Sequence, residues 1–239
     1  MPVLLLLLFG LAIGISTGII VLVVRGVREK LNALPVASYR PSTPISVHPA
    51  FLRRPDCWLA VKSRNLRAVQ VALGLHNAKP CSWLEGLAAG EKLFIGPPVK
   101  GWILVMGASV PDPLDDVDVC FRFVLQLSRK LGEVQLFSTS RVLHYHAWVR
   151  VNRGRVERAY AWAGRTLWKQ GSLTSAEKEL NVKCFDYAEM ADRAFGEPDV
   201  IAANMDKVPL LAARWSLDPA RIDEPFQARG IAGEPSLCY

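Results

Sequence analysis

From Val3 to Val24 the chain carries no charged side chain, and that run constrains everything after it. A stretch of 22 residues rises about 33 Å as a helix, which matches a hydrocarbon core of about 30 Å. Its only polar side chains, Ser16 and Thr17, can bond back to carbonyls of their own helix, so neither forbids insertion. A cleaved secretory signal would call for a positive leader, a shorter apolar stretch and a small-x-small cleavage site. Here only Met1 and Pro2 precede the run, and it ends in Leu-Val-Val-Arg. The expectation is an uncleaved single-pass anchor.

Arg25, Arg28 and Lys30 follow the run and no Lys or Arg precedes it. Basic flanks stay cytoplasmic, so the amino terminus is expected outside and the remainder of the chain in the cytoplasm. Gly10, Gly14 and Gly18 recur every four residues and so share one helix face, a small-xxx-small pattern through which two such helices can associate as a homodimer. The competing account is that glycine is common in membrane helices anyway.

The charge balance points the same way. Between Arg25 and Leu75 nine basic residues face only Glu29 and Asp56, so this window holds the whole formal charge of +7. Besides Arg25, Arg28 and Lys30 it contains Arg40, Arg53, Arg54, Lys62, Arg64 and Arg67. A basic surplus often signals nucleic acid. Beside a membrane span, anionic headgroups are the better partner, each Lys or Arg gaining about 1 kcal/mol near the surface, and nucleic acid is not needed. Cys57, Cys81, Cys120, Cys184 and Cys238 form no C-x-x-C pair and are odd in number. That is the usage of reduced thiols, not of a disulfide framework or a zinc knuckle.

Three segments follow: residues 1–30 as anchor and basic juxtamembrane piece, 31–50 as a tether punctuated by Pro35, Pro41, Pro44 and Pro49, and 51–239 as one soluble domain. The fold class expected is α+β, a mixed or antiparallel sheet packed with helices. Trp58 to Lys62 reads as a strand, and Asn65 caps a helix running to Leu75. Ser82-Trp-Leu-Glu85 spells a capping box, and Lys92 to Ile95 looks extended. Gly101 to Met106 is a continuous apolar run, a buried strand. Asp112-Pro113 then reads as a cap with proline at the first helical position. Val117, Cys120, Val124, Leu127 and Leu131 lie on one helical face, and Glu133 to Phe137 is the next strand. Tyr145 to Val151 forms a hairpin about Arg153-Gly154. With Asn152 opposite Arg155, Arg150 would face Glu157, and Trp148 and His146 would face Ala159 and Ala161. Thr174 caps a short helix, Leu210 to Trp215 forms another, and the last fifteen residues read as irregular.

Cys81 precedes the capping-box helix, whose amides would lower a thiol pKa, and His146 opens the words His-Ala-Trp-Val-Arg-Val. A cysteine at a helix start with a histidine on a later strand is the layout of papain-like thiol enzymes. The stretch His146 to Val151 resembles the histidine strand of their transglutaminase-like members. That resemblance implies Cys81 as nucleophile and His146 as base. Such enzymes place an acidic or amide partner on the following strand, where Ala159, Tyr160, Ala161 and Trp162 supply none. The other account is a buried cysteine and a hydrogen-bonded core histidine.

His144 and His146 would share a strand face, but two histidines need a third ligand, and Asp112, Asp115, Asp116 and Asp118 are explained by a helix start. No metal and no cofactor is expected. Leu211 to Ile222 has helix-turn-helix spacing, yet Ser216 stands where the turn glycine belongs and Asp223-Glu224-Pro225 would end the reading helix early; a packing corner is expected. There is no P-loop, dinucleotide fingerprint or nucleophile elbow. Three readings therefore stand open: a membrane-anchored binding domain for an unknown protein partner, a thiol enzyme using Cys81 and His146, and a purely structural anchor that dimerises through Gly10, Gly14 and Gly18.

Overall fold

The computed structural model describes residues 56–88, 92–187, 198–222 and 229–236. The chain divides into two units, Met1–Ser46 and Val47–Tyr239, and all described residues belong to the second. The apolar run with its glycine face, the basic group Arg25, Arg28 and Lys30, and the tether 31–50 lie outside the described residues. Among the described residues no helix is long and apolar enough to cross a membrane.

In chain order the elements are β1 (Cys57–Lys62), α1 (Leu66–Ala72), β2 (Leu75–Cys81), α2 (Trp83–Ala88), β3 (Leu93–Ile95), β4 (Trp102–Met106), α3 (Val117–Leu131), β5 (Glu133–Ser140), β6 (Tyr145–Asn152), β7 (Arg155–Ala163), β8 (Thr166–Gln170), α4 (Ser175–Glu179), α5 (Pro198–Trp215) and β9 (Gly230–Pro235). The strands form one sheet in the order β2-β9-β3-β4-β1-β5-β6-β7-β8. Every pairing is antiparallel, so the sheet is not mixed.

Alternation along the strands decides the layering. On one face Leu59, Val61, Val134, Leu136, Ala147 and Val149 pack with Val69 of α1 and with Cys120, Phe123, Val124 and Leu127 of α3. On the other, Trp58, Ala60, Phe137, Trp148, Tyr160 and Trp162 pack with Ile201, Met205, Val208, Leu211 and Ala212 of α5. The inner strands are buried on both sides, which is why they read as nearly continuous apolar runs. The expected strand–helix–strand unit is present with one strand inserted: β4 and β5 both flank β1, giving a split β-α-β crossover.

Several expectations shift, each for a physical reason. Asp112 does not cap α3. Asp116 does, accepting from the amides of Asp118 at 2.8 Å and Val119 at 3.0 Å, while Asp112 closes the preceding turn. The helix after Asn65 ends at Ala72, where Gly74 with φ +61° turns the chain into edge strand β2. In the hairpin, Asn152 pairs with Arg155 as expected, but a bulge at Arg150/Val151 adds a residue. Beyond it Arg150 opposes Arg158, Trp148 opposes Tyr160, and His146 opposes Trp162. Arg150 still reaches Glu157 at 2.9 Å and Glu133 at 3.2 Å. The large-beside-small pairing is thus replaced by aromatic on aromatic.

The C-terminal portion holds more order than its spelling suggests. α5 begins at Pro198 and runs through Pro209; proline removes one helical hydrogen bond, but the stripe Ile201, Met205, Val208, Leu211 and Ala212 is buried throughout and outweighs it. The run after it is a packing corner, with Leu217 buried and Asp218 capping a 3-10 turn over Pro219–Arg221. β9 inserts between β2 and β3. Its glycines are there for closeness: a Cβ on Gly230 would stand 2.4 Å from the Ile95 carbonyl, and one on Gly233 2.5 Å from that of His76.

Both sheet edges are blunted. β2 has a register shift between His76 and Lys79 and contains Pro80. On β8 the outward amide of Lys169 donates to the Tyr187 hydroxyl at 2.7 Å, and that hydroxyl donates to the Lys169 carbonyl at 3.4 Å. Such devices keep foreign strands from adding.

Two substitutions test this packing. Trp148→Ala should cost about 3–5 kcal/mol, as buried aromatic deletions do. Gly171→Ala, which meets a positive φ of +75° and a Cβ only 2.2 Å from the Glu157 carbonyl, should cost more than about 1 kcal/mol. Both are read from denaturant midpoints, and an unchanged midpoint in either would contradict the packing.

Candidate functional site

Cys81 is the last residue of β2, opposite Gly230 and half-buried. The capping box beside it is formed: the Ser82 amide donates to the Glu85 carboxylate at 2.7 Å, and the Glu85 amide to Ser82 Oγ at 3.2 Å. These bonds take up two of the amides at the helix start. Burial, and then the Glu85 carboxylate, push the Cys81 thiol pKa up, opposite to the activation a nucleophile needs.

His146 lies on β6 with no exposed surface. Its ring stacks between Trp148 and Trp162, with centroids 5.7 Å from each and interplanar angles of 14° and 19°. Tyr160 adds a tilted contact at 5.8 Å. Nε2 sits 3.5 Å from the Asn204 amide nitrogen, and buried Nδ1 has no hydrogen-bond partner among the described residues. Asn204 is itself fixed by the Lys183 backbone, donating to its carbonyl at 2.6 Å and accepting from its amide at 3.1 Å. Burial pulls the His146 pKa down to about 3, so the ring is neutral near pH 7. Between β2 and β6 stand β9, β3, β4, β1 and β5, which places Cys81 and His146 roughly 29 Å apart across the sheet at about 4.8 Å per strand. The fold does not bring them together. His144, exposed with φ +47°, lies in the turn before β6 and not on its face.

Next to the histidine cage lies a polar network that reading the sequence missed. Arg158 and Glu177 are fully buried partners, Nε to Oε1 2.7 Å. The same Oε1 accepts from Trp148 Nε1 at 2.7 Å, while Oε2 accepts from the Thr174 amide and hydroxyl at 2.7 and 2.8 Å. The guanidinium also donates to the carbonyls of Ala159, Gln170 and Gly171 and lies 3.1 Å from Cys184 Sγ. Burial is the main reason the Cys184 thiol pKa rises to about 12. The capping-box spelling Thr174-Ser-Ala-Glu177 was the available signal; its acid turned inward is a tertiary fact.

A second polar group sits where β1 begins and β5 ends. Asp112 accepts from the hydroxyls of Ser138 and Tyr145 and from the Leu114 amide. Its charge adds to burial in holding the Cys57, Cys120 and Tyr145 protons on. This arrangement ties down three elements with a single carboxylate and disfavours the thiolate form of both cysteines. Asp115, Asp116 and Asp118 are exposed, Asp116 with its carboxylate on the first amides of α3, and among the described residues no three metal-type ligands gather. Of the basic residues counted in the sequence, Lys62, Arg64 and Arg67 are exposed.

No family model matches the chain, and no curated protein or solved structure is detectably similar to it.

The histidine cage predicts a pH dependence. Unfolded His146 binds its proton near pH 6.5 and folded His146 only near pH 3, so its contribution to stability is complete above pH 6.5. It falls as pH drops toward 3 by about 1.4 kcal/mol per unit. Denaturant midpoints at pH 6.5 and 4.5 should show His146→Phe losing about 2–3 kcal/mol less than wild type over that interval. Equal losses would mean that the ring is hydrated. Glu177→Ala, which strands the buried Arg158 charge, should cost about 3–5 kcal/mol at pH 7.

Proposed function

We propose that this chain is a single-pass membrane-anchored interaction protein, its amino terminus outside and its α+β domain in the cytoplasm, binding a partner protein as a sensor, adaptor or immunity-type component. The observation that carries the anchor is the uncharged run Val3–Val24 followed directly by Arg25, Arg28 and Lys30. Binding is favoured over thiol chemistry because five strands separate Cys81 from His146, and because His146 is sealed between tryptophans. Its neighbours Arg158 and Glu177 spend their polar groups on holding the fold. The glycine face Gly10, Gly14 and Gly18 would pair two anchors, and the basic collar would meet anionic headgroups.

The test is topological. A reporter fused after Tyr239 should behave as cytoplasmic, and in intact cells Cys238 should react with a membrane-permeant maleimide and not with an impermeant one. Labelling by the impermeant reagent would invert the orientation. Extraction of the whole chain by alkaline carbonate would remove the anchor itself.

A further inference from the structure

The two ends of the sheet differ in charge. At the end where β1 starts, exposed Asp56, Asp115, Asp116 and Asp118 are accompanied by exposed Lys92, Arg141 and Arg165. At the far end, strand register sets Lys62, Trp102, Glu133, Asn152 and Arg155 in one row. There Glu133 is held by Lys62 and Arg150, and Glu157 by Arg150. Five exposed cations at that end, Arg64, Lys100, Arg129, Arg153 and Arg155, make no ion pair among the described residues. They fall in two groups, Arg64 beside the Lys100-Gly101 turn and Arg129 beside the Arg153-Gly154 turn, with β1 and β5 between the two turns.

How two of them are mounted is informative. Val99 and Trp102 exchange backbone hydrogen bonds of 2.7 and 2.8 Å about Lys100-Gly101, and Asn152 and Arg155 pair about Arg153-Gly154. Both are two-residue hairpin turns with positive φ throughout: +49° and +84° in the first, +49° and +75° in the second. The first position of such a turn favours Asn, Asp or Gly, since a long side chain there is strained. Here each turn puts a cation in it. Charge complementarity with the end of α3 accounts for Arg129; it does not account for Lys100 or Arg153.

We propose that this far end is a docking surface for the anionic lipid headgroups of the bilayer that anchors the chain, a role that rests on the anchored reading above. Attraction of the more cationic end orients the domain, far end toward the lipid. Reach is not limiting. The sheet is roughly 26 Å long along its eight-residue strands, whereas the stretch of about thirty residues between Val24 and Cys57 can span up to about 100 Å.

The test uses the full chain in nanodiscs of phosphatidylcholine alone or with phosphatidylserine, carrying a headgroup-linked acceptor dye. A donor is introduced as a bio-orthogonal side chain at Ser63 (far end) or Asp115 (opposite end). Energy transfer from position 63 should exceed that from 115 only in anionic discs, and half-molar salt should abolish the difference. The double variant Lys100→Asn/Arg153→Asn gives each turn a residue it prefers, so its melting temperature should equal or exceed that of wild type. Its docking should weaken about 25-fold, about fivefold per cation. Equal transfer from both positions in anionic discs, or docking unchanged in the folded double variant, overturns the proposal. So does variant-sensitive binding of duplex nucleic acid that exceeds binding to anionic lipid. Protein that fails to integrate is sedimented with anionic vesicles added from outside. Variant-sensitive binding there keeps the docking surface while the anchor reading fails, and its absence sinks both.

Discussion

A carboxylate without water has to be met by donors on every side, and the fold around α4 and β7 depends on Glu177 being so met. It takes hydrogen bonds from Arg158, Trp148 and both polar groups of Thr174. Removing any one would leave another charge or dipole stranded in low dielectric, where the penalty is larger than the bond was worth. The network therefore acts less as glue than as a register pin. It fixes which face of β7 looks toward α5, and with it the stacking of His146, Trp148, Tyr160 and Trp162. The bulge at Arg150/Val151 is the local adjustment that lets the turn at Arg153-Gly154 and the pin at Arg158 both be satisfied.

Much of this architecture is legible in the residues. Trp102–Met106 announces itself as a continuous apolar run, α3 by its three-four spacing, and the hairpin by Arg-Gly between alternating strands. These signals are local, and local physics sets them. What stays hidden is set at a distance. β9 looks like loop because Gly230 and Gly233 lower strand propensity, yet they are what allow neighbouring backbones to approach. α5 looks shorter than it is because Pro209 reads as a boundary, while the burial that overrides it comes from a sheet face assembled from other parts of the chain. Asp112 and Asp116 are equally good caps by spelling. Only the hydroxyls of Ser138 and Tyr145, delivered by β5 and β6, draw Asp112 away.

The chemistry-bearing residues follow the same division. The capping box beside Cys81 is spelled out in four consecutive residues and forms, but its partner in any thiol mechanism would have to come from the strand order, which no short stretch encodes. His146 is legible as a strand residue and not as the filling between two indoles, because that depends on a one-residue bulge several positions away. The charged rim is the intermediate case. Each cation is visible in the sequence, and so is each glycine after it; that two such turns stand at the same end of the sheet follows only from the pairing of β4, β1, β5, β6 and β7.

The blunted edges bear on crowding in two dimensions. Molecules confined to a surface meet one another far more often than the same number free in solution, and an open strand edge would template lateral sheet growth under those conditions. The kinked, proline-bearing β2 and the Tyr187 hydroxyl that occupies the outward amide and carbonyl of Lys169 remove both templates. A chain built this way can be held at high surface density and still meet its neighbours only through side chains. On the anchored reading proposed above, lateral growth through these two edges is disfavoured.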